Sequence, residues 1–136
     1  MWLIIPFMSF PINEIKYGDK EYSKILSHIT DPPEKLYWRG NIKLLNTECF
    51  GIVGTRKLTS YGKEVVEHIV SGLAESGFTI VSGLAMGIDA EAHKAALDNS
   101  LPTIAVLGTG INDTSIYPGT NFYLAMDILK TRADSV

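Results

Sequence analysis

Three short stretches of this chain concentrate the residue types that hold anions. The first, GTRKLTSYGK over residues 54–63, opens with Gly54 and Thr55 and places Arg56, Lys57 and Lys63 within eight residues, with no acidic side chain between them. Thr59 and Ser60 add hydroxyl donors. A planar guanidinium meets phosphate oxygens two at a time, and backbone amides add donors of fixed direction. The second stretch, SGLAMGID over residues 82–89, holds Ser82, Gly83, Leu84, Ala85 and Gly87. Its glycines remove the side chains that would keep an anion away from backbone N–H groups and from the start of a following helix. The third, GTGINDTSIYPGTN over residues 108–121, begins with Gly108 and Gly110. Together these residues suit noncovalent capture of phosphate. The competing account is that Arg56 pairs with a nearby carboxylate and that the glycines only tighten turns. Three such stretches in one chain favour the anion site.

Other chemistries are less well served. The first turn reads GIVGTR and not GxGxxG, and no acidic residue follows the second apolar run where ribose hydroxyls would need one, so a dinucleotide site is poorly supported. The GxxxxGK[ST] phosphate loop does not occur. Asp89 and His93 stand four residues apart on a helical stretch, which invites an acid–base or metal role. No second His or Cys joins them at ligand spacing, however, and Asp89 serves equally as a charge at a helix N-terminus. His28 and His68 lie among polar neighbours and read as surface residues. No catalytic residue, metal ligand or cofactor is assigned.

The elements that must position the three stretches follow from the pattern of apolar residues. Runs at residues 49–53, 78–81 and 103–107 read as buried strands. Between the first two, Val65, Val66, Ile69, Val70, Leu73 and Ala74 recur at helical spacing, with Gly77 as a stop. Between the second and third, Ile88, Ala92, Ala95 and Ala96 make a small-residue face suited to close packing on a sheet, and Asn99 and Pro102 end the helix. A last helix is expected over roughly residues 121–130. Strands alternating with single helices indicate right-handed βαβ units. The fold class is therefore α/β, a Rossmann-like parallel sheet of about three core strands with flanking helices. In such sheets ligands bind beyond the C-terminal strand ends, so the three stretches should converge on one crevice. Residues 22–29 are expected to form a short helix stopped by Pro32 and Pro33, and KLYWR at residues 35–39 a short strand in which Tyr37 and Trp38 serve packing.

Composition bounds the answer further. With 136 residues and 46% hydrophobic content the chain supports one ordinary domain. Its net charge of −3 restricts any nucleic-acid site to a local patch. The single cysteine, Cys49, rules out an internal disulfide, fits a reducing cytoplasm and is expected to be a buried thiol within its apolar run. The N-terminal MWLIIPFMSF is broken by Pro6 and is too short for a membrane span. The reading is a leader over residues 1–21, the main domain over residues 22–130 and a polar tail over residues 131–136.

LYWRG at residues 36–40, GIVGTRKLTSYG at 51–62, IVSGLAMGIDAEAHKAAL at 80–97, and TIAVLGTGI with YPGTN across 103–121 closely resemble, in order and spacing, the DNA-processing protein A (DprA/Smf) family. The resemblance covers roughly residues 22–130. It implies a Rossmann-like domain that binds single-stranded DNA without catalysis, loads RecA, forms homodimers and serves natural transformation and recombination in bacteria. By the same resemblance, Arg56 matches the family's arginine at the DNA backbone, with Ser82, Gly83 and Gly87 in the loop beside it. The family's later strands, its RNR segment and the surfaces for dimerisation and RecA have no match here, so the chain is expected to be a truncated member with one flank of its sheet open. A Rossmann-like site for a nucleotide or phosphoribosyl ligand, binding or hydrolysing it, is the alternative. The absence of a PGGxGT-type segment weighs against that alternative.

Overall fold

The computed structural model describes residues 10–131. In chain order these form β1 (Asn13–Lys16), β2 (Lys35–Trp38), β3 (Cys49–Gly51), α1 (Ser60–Gly72), β4 (Thr79–Ser82), α2 (Ile88–Asp98), β5 (Thr103–Ala105) and α3 (Phe122–Lys130). The three apolar runs become one parallel sheet in the order β3-β4-β5. Phe50 lies beside Ile80, and Ile80 beside Thr103, in successive registers. Both α1 and α2 are crossovers between neighbouring strands, and both pack on the face that carries Ile80. There Val66 and Val70 of α1 meet Ala92, Ala95 and Ala96 of α2 in one buried cluster. The alanines let α2 approach the sheet closely, and burying a side chain such as Ile80 or Val70 contributes about 1.5–3 kcal/mol. Thr59 starts α1 by accepting the Gly62 N–H at 3.0 Å. Asn99 closes α2, as the sequence indicates, its side-chain amide donating to the Ala95 carbonyl at 2.8 Å.

Several details differ from the sequence reading. Helix α1 begins earlier than the apolar pattern implies, because Thr59 caps it, and it ends at Gly72, short of Gly77. Residues 22–29 make only a single tight turn, Leu26–His28. No element is expected before Tyr22, yet β1 pairs antiparallel with β2, Ile15 beside Leu36, and buries Ile15. Tyr37 is exposed on this hairpin instead of packed.

Cys49 is exposed and free, in place of the expected buried thiol. The reason lies in strand parity: Cys49, Gly51 and Val53 point away from the face that α1 and α2 cover. Val53 is 80% exposed, so this part of the opposite face is bare among the described residues. The outer edge of β3 is likewise unpaired among the described residues. Thr47, just before β3, is tied to β4 by a 2.6 Å hydrogen bond between its hydroxyl and that of Thr79. No helix among the described residues is long and apolar enough to cross a membrane.

Candidate nucleic-acid interface

The first two anion-suited loops interlock through glycines. Gly87, the residue before α2, has φ of 85°, and a side chain there would collide with the Thr55 carbonyl oxygen and the Arg56 backbone. The Ile88 N–H then donates to that same Thr55 carbonyl at 3.1 Å. The Ile88 side chain in turn fills the space that a Cβ on Gly54 or Gly62 would need, 2.7 Å and 3.2 Å from its atoms. Gly54, Gly62 and Gly87 are therefore small so that the starts of α1 and α2 can meet. Thr55 accepts the Lys57 N–H at 3.1 Å and Thr59 caps α1, so both hydroxyls organise the loop that carries Arg56.

At this junction Arg56 and Lys57 are exposed. Arg56 has no hydrogen bond or ion pair among the described residues, which removes the account in which it serves a neighbouring carboxylate. Lys63 stands 3.9 Å from Glu67, an exposed pair that contributes little to stability and leaves the ammonium available. The first turn of α1 holds no acidic residue, whereas that of α2 holds Asp89 and Glu91. An anion is therefore favoured at the start of α1 and opposed at the start of α2.

The second loop is more committed to structure than its composition suggests. The Gly83 N–H donates to the Asp89 carboxylate at 3.1 Å, so an internal anion already occupies that amide. Leu84 adopts φ of 61°, is fully buried, and packs with Ala125 and Met126 of α3. Its carbonyl accepts from the Asn121 side chain at 2.9 Å. The Ala85 carbonyl accepts the Ala90 N–H, and the Ser82 side chain is buried. Of this loop, Met86 is the residue that projects, 48% exposed.

Asp89 and His93 share a helix face, as their spacing indicates, and both are buried. The Thr103 hydroxyl donates to the Ile80 carbonyl at 2.9 Å, so its oxygen accepts from His93 Nδ1 at 2.7 Å. Burial lowers the His93 pKa to about 4, with Asp89 and the Ser82 backbone opposing the shift. A neutral His93 thus ties α2 to β4 and β5 beneath the loop. Among the described residues no three His, Cys, Asp or Glu side chains gather as a metal site.

The third loop joins the others through residues that sequence reasoning did not single out. Asn121 reaches Leu84 as described. Arg39, only 12% exposed in its side chain, donates from Nη1 to the Ile111 carbonyl and to Asp113, each at 2.8 Å, and from Nε to the Phe10 carbonyl at 2.9 Å. The available signal was one arginine closing an aromatic strand just before Gly40. Gly110 is hemmed in by Asn112 and Ser115, while a Cβ at Gly108 would meet nothing within 4 Å. A groove of about 990 Å³ runs along β5 between β2 and α3, with Gly110, Ile111 and Asn112 among its lining residues; Arg56 and Lys57 do not line it.

Comparison with known proteins places these features in a family. The family model described as DNA recombination-mediator protein A matches residues 13–133. DNA processing protein DprA of Bacillus subtilis is 42% identical over 120 residues, covering 88% of this chain and 40% of the relative. Its namesake in Streptococcus pneumoniae is 44% identical over 115 residues, covering 85% of this chain and 39% of the relative. The crystal structure of the pneumococcal protein superposes with a TM-score of 0.79 at 41% identity, over 90% of this chain and 41% of that one. DNA processing protein A of Helicobacter pylori, whose structure is described for its single-stranded DNA binding mode, gives a TM-score of 0.72 at 32% identity, over 90% of this chain and 53% of that one. The chain thus spans about 40% of the length of the curated relatives named here. It belongs to the DNA recombination-mediator protein A family.

Proposed function

We propose that this chain binds single-stranded DNA by its phosphate backbone, without catalysis. Arg56 is the principal contact, with Lys57 and Lys63 adding charge and the open amides of the first and third loops adding donors. The observation that carries the reading is the exposed Arg56 guanidinium, free of any partner among the described residues and held where α1 begins. The Helicobacter relative's binding mode supports the choice of ligand. Within this reading the DNA-bound chain acts in the cytoplasm, in DNA uptake and RecA-mediated recombination. RecA and a second copy of the chain are the partners that the family resemblance implies, and neither contact is assigned to a residue. The rival nucleotide-hydrolysing reading would draw on Asp89 or His93, and both are committed to internal hydrogen bonds.

The test is fluorescence anisotropy with a labelled oligothymidine over a range of salt. Three cationic contacts give a log–log salt slope of about −2, since each single-strand phosphate contact contributes about −0.7. Arg56→Ala should weaken binding and flatten the slope by about 0.7. Undiminished binding by that variant, or thermal stabilisation by a mononucleotide with none from the oligonucleotide, would overturn the assignment.

A further inference from the structure

The exposed apolar side chains at the ends of the two interlocked loops form a pattern of their own. Val53, Tyr61 and Met86 are 80%, 77% and 48% exposed, and all three belong to the ends of the two interlocked loops. Tyr61 lies in the first turn of α1, two residues beyond its cap, and in the sequence it falls between Arg56 and Lys57 before it and Lys63 after it. Among the described residues its ring and hydroxyl have no partner. Other exposed tyrosines differ. Tyr17 meets the Tyr22 ring at 5.6 Å, Tyr123 meets Phe122 at 5.6 Å, and Tyr37 lies 5.9 Å from the Lys35 ammonium. Tyr117 belongs to the third loop, residues 108–121, which carries no Lys or Arg.

A free aromatic face among exposed cations is the combination that holds single-stranded nucleic acid, because every base has a π-face to stack while its phosphate meets the charge. We propose that Tyr61 is the platform on which one base of the bound strand stacks, next to the phosphate held by Arg56. This rests on the single-stranded DNA reading above and adds a base contact to a site otherwise built for phosphates. The strand crosses the start of α1 and does not follow the helix, because the exposed Glu64 and Glu67 beyond Tyr61 repel a phosphate chain. Tyr61 therefore marks one end of the footprint.

The experiment compares an oligothymidine with an abasic oligomer of equal length, each titrated against wild type, Tyr61→Ala, Tyr61→Phe and Arg56→Ala. Tyr61→Ala should bind the oligothymidine about 5- to 150-fold more weakly. Its affinity for the abasic oligomer and its salt slope should stay as in wild type, and Tyr61→Phe should restore the oligothymidine affinity. Equal loss on both oligomers, no loss on either, or failure of the Phe variant to rescue would each overturn the stacking role. Arg56→Ala should weaken both oligomers; if it weakens neither, the DNA site itself is wrong and the platform falls with it.

Discussion

At Gly87 a hydrogen in place of a methyl group decides whether two loops can touch. Gly87→Ala would force a residue with a Cβ into positive φ and drive that Cβ into the Thr55 carbonyl. The expected loss is about 2–4 kcal/mol in urea denaturation, together with weaker DNA binding although no charge has been removed. His93 gives a second outcome at this scale. The unfolded chain protonates it near pH 6.5 and the folded chain near 4, so between those values the unfolded state holds the extra proton. Stability is therefore full above about pH 6.5, falls by about 3 kcal/mol as pH drops towards 4, and levels off below. Chemical denaturation at a series of pH values measures this, and His93→Gln should remove that part of the slope. The sequence showed which residue types gather at the loops. It did not show which of them face outward, because that depends on backbone direction. Leu84 reads as part of a ligand turn, but its left-handed backbone turns the side chain into the core. Arg56 is exposed in the structure, and among the described residues no hydrogen bond or ion pair competes for its charge.

Among the elements, the loops between strands and helices carry the candidate contacts, while the helices decide which loop can accept an anion. Asp89 already satisfies the Gly83 amide at the start of α2, which leaves α1 as the positive end available to a phosphate. The link from α3 to the second loop runs through Asn121. Asn121→Ala should leave the buried Leu84 carbonyl unpaired, lowering stability by about 1–3 kcal/mol in thermal or urea unfolding and loosening residues 82–87 to hydrogen exchange. The main strands and crossover helices were legible because each apolar run is continuous and each helix shows a 3.6-residue period. β1 was not legible: within Asn13–Lys16 the apolar residue is Ile15, and its partner strand lies some twenty residues on. The expected burial of Cys49 failed for a related reason, since an apolar run shows that a strand exists and not which of its faces is covered.

For the whole molecule, the core is one-sided. Parallel sheets are normally covered on both faces, and here Cys49, Gly51 and Val53 show an uncovered stretch beside an unpaired strand edge among the described residues. The net charge of −3 is spread elsewhere, so the cationic start of α1 stands out locally against an acidic molecule. The contact of Gly87 with the Thr55–Arg56 backbone then has a thermodynamic meaning. The arginine's loop and the second loop hold their shape only while they press on each other, so the unfolded chain offers no equivalent site. Under the proposed function, a DNA strand bound there becomes a folding ligand: at a hundred times its dissociation constant it would add about 2.7 kcal/mol to the native state. The melting temperature should therefore climb with oligothymidine concentration in wild type and barely move in Gly87→Ala. A domain with a half-covered sheet would then be at its most stable when loaded with DNA.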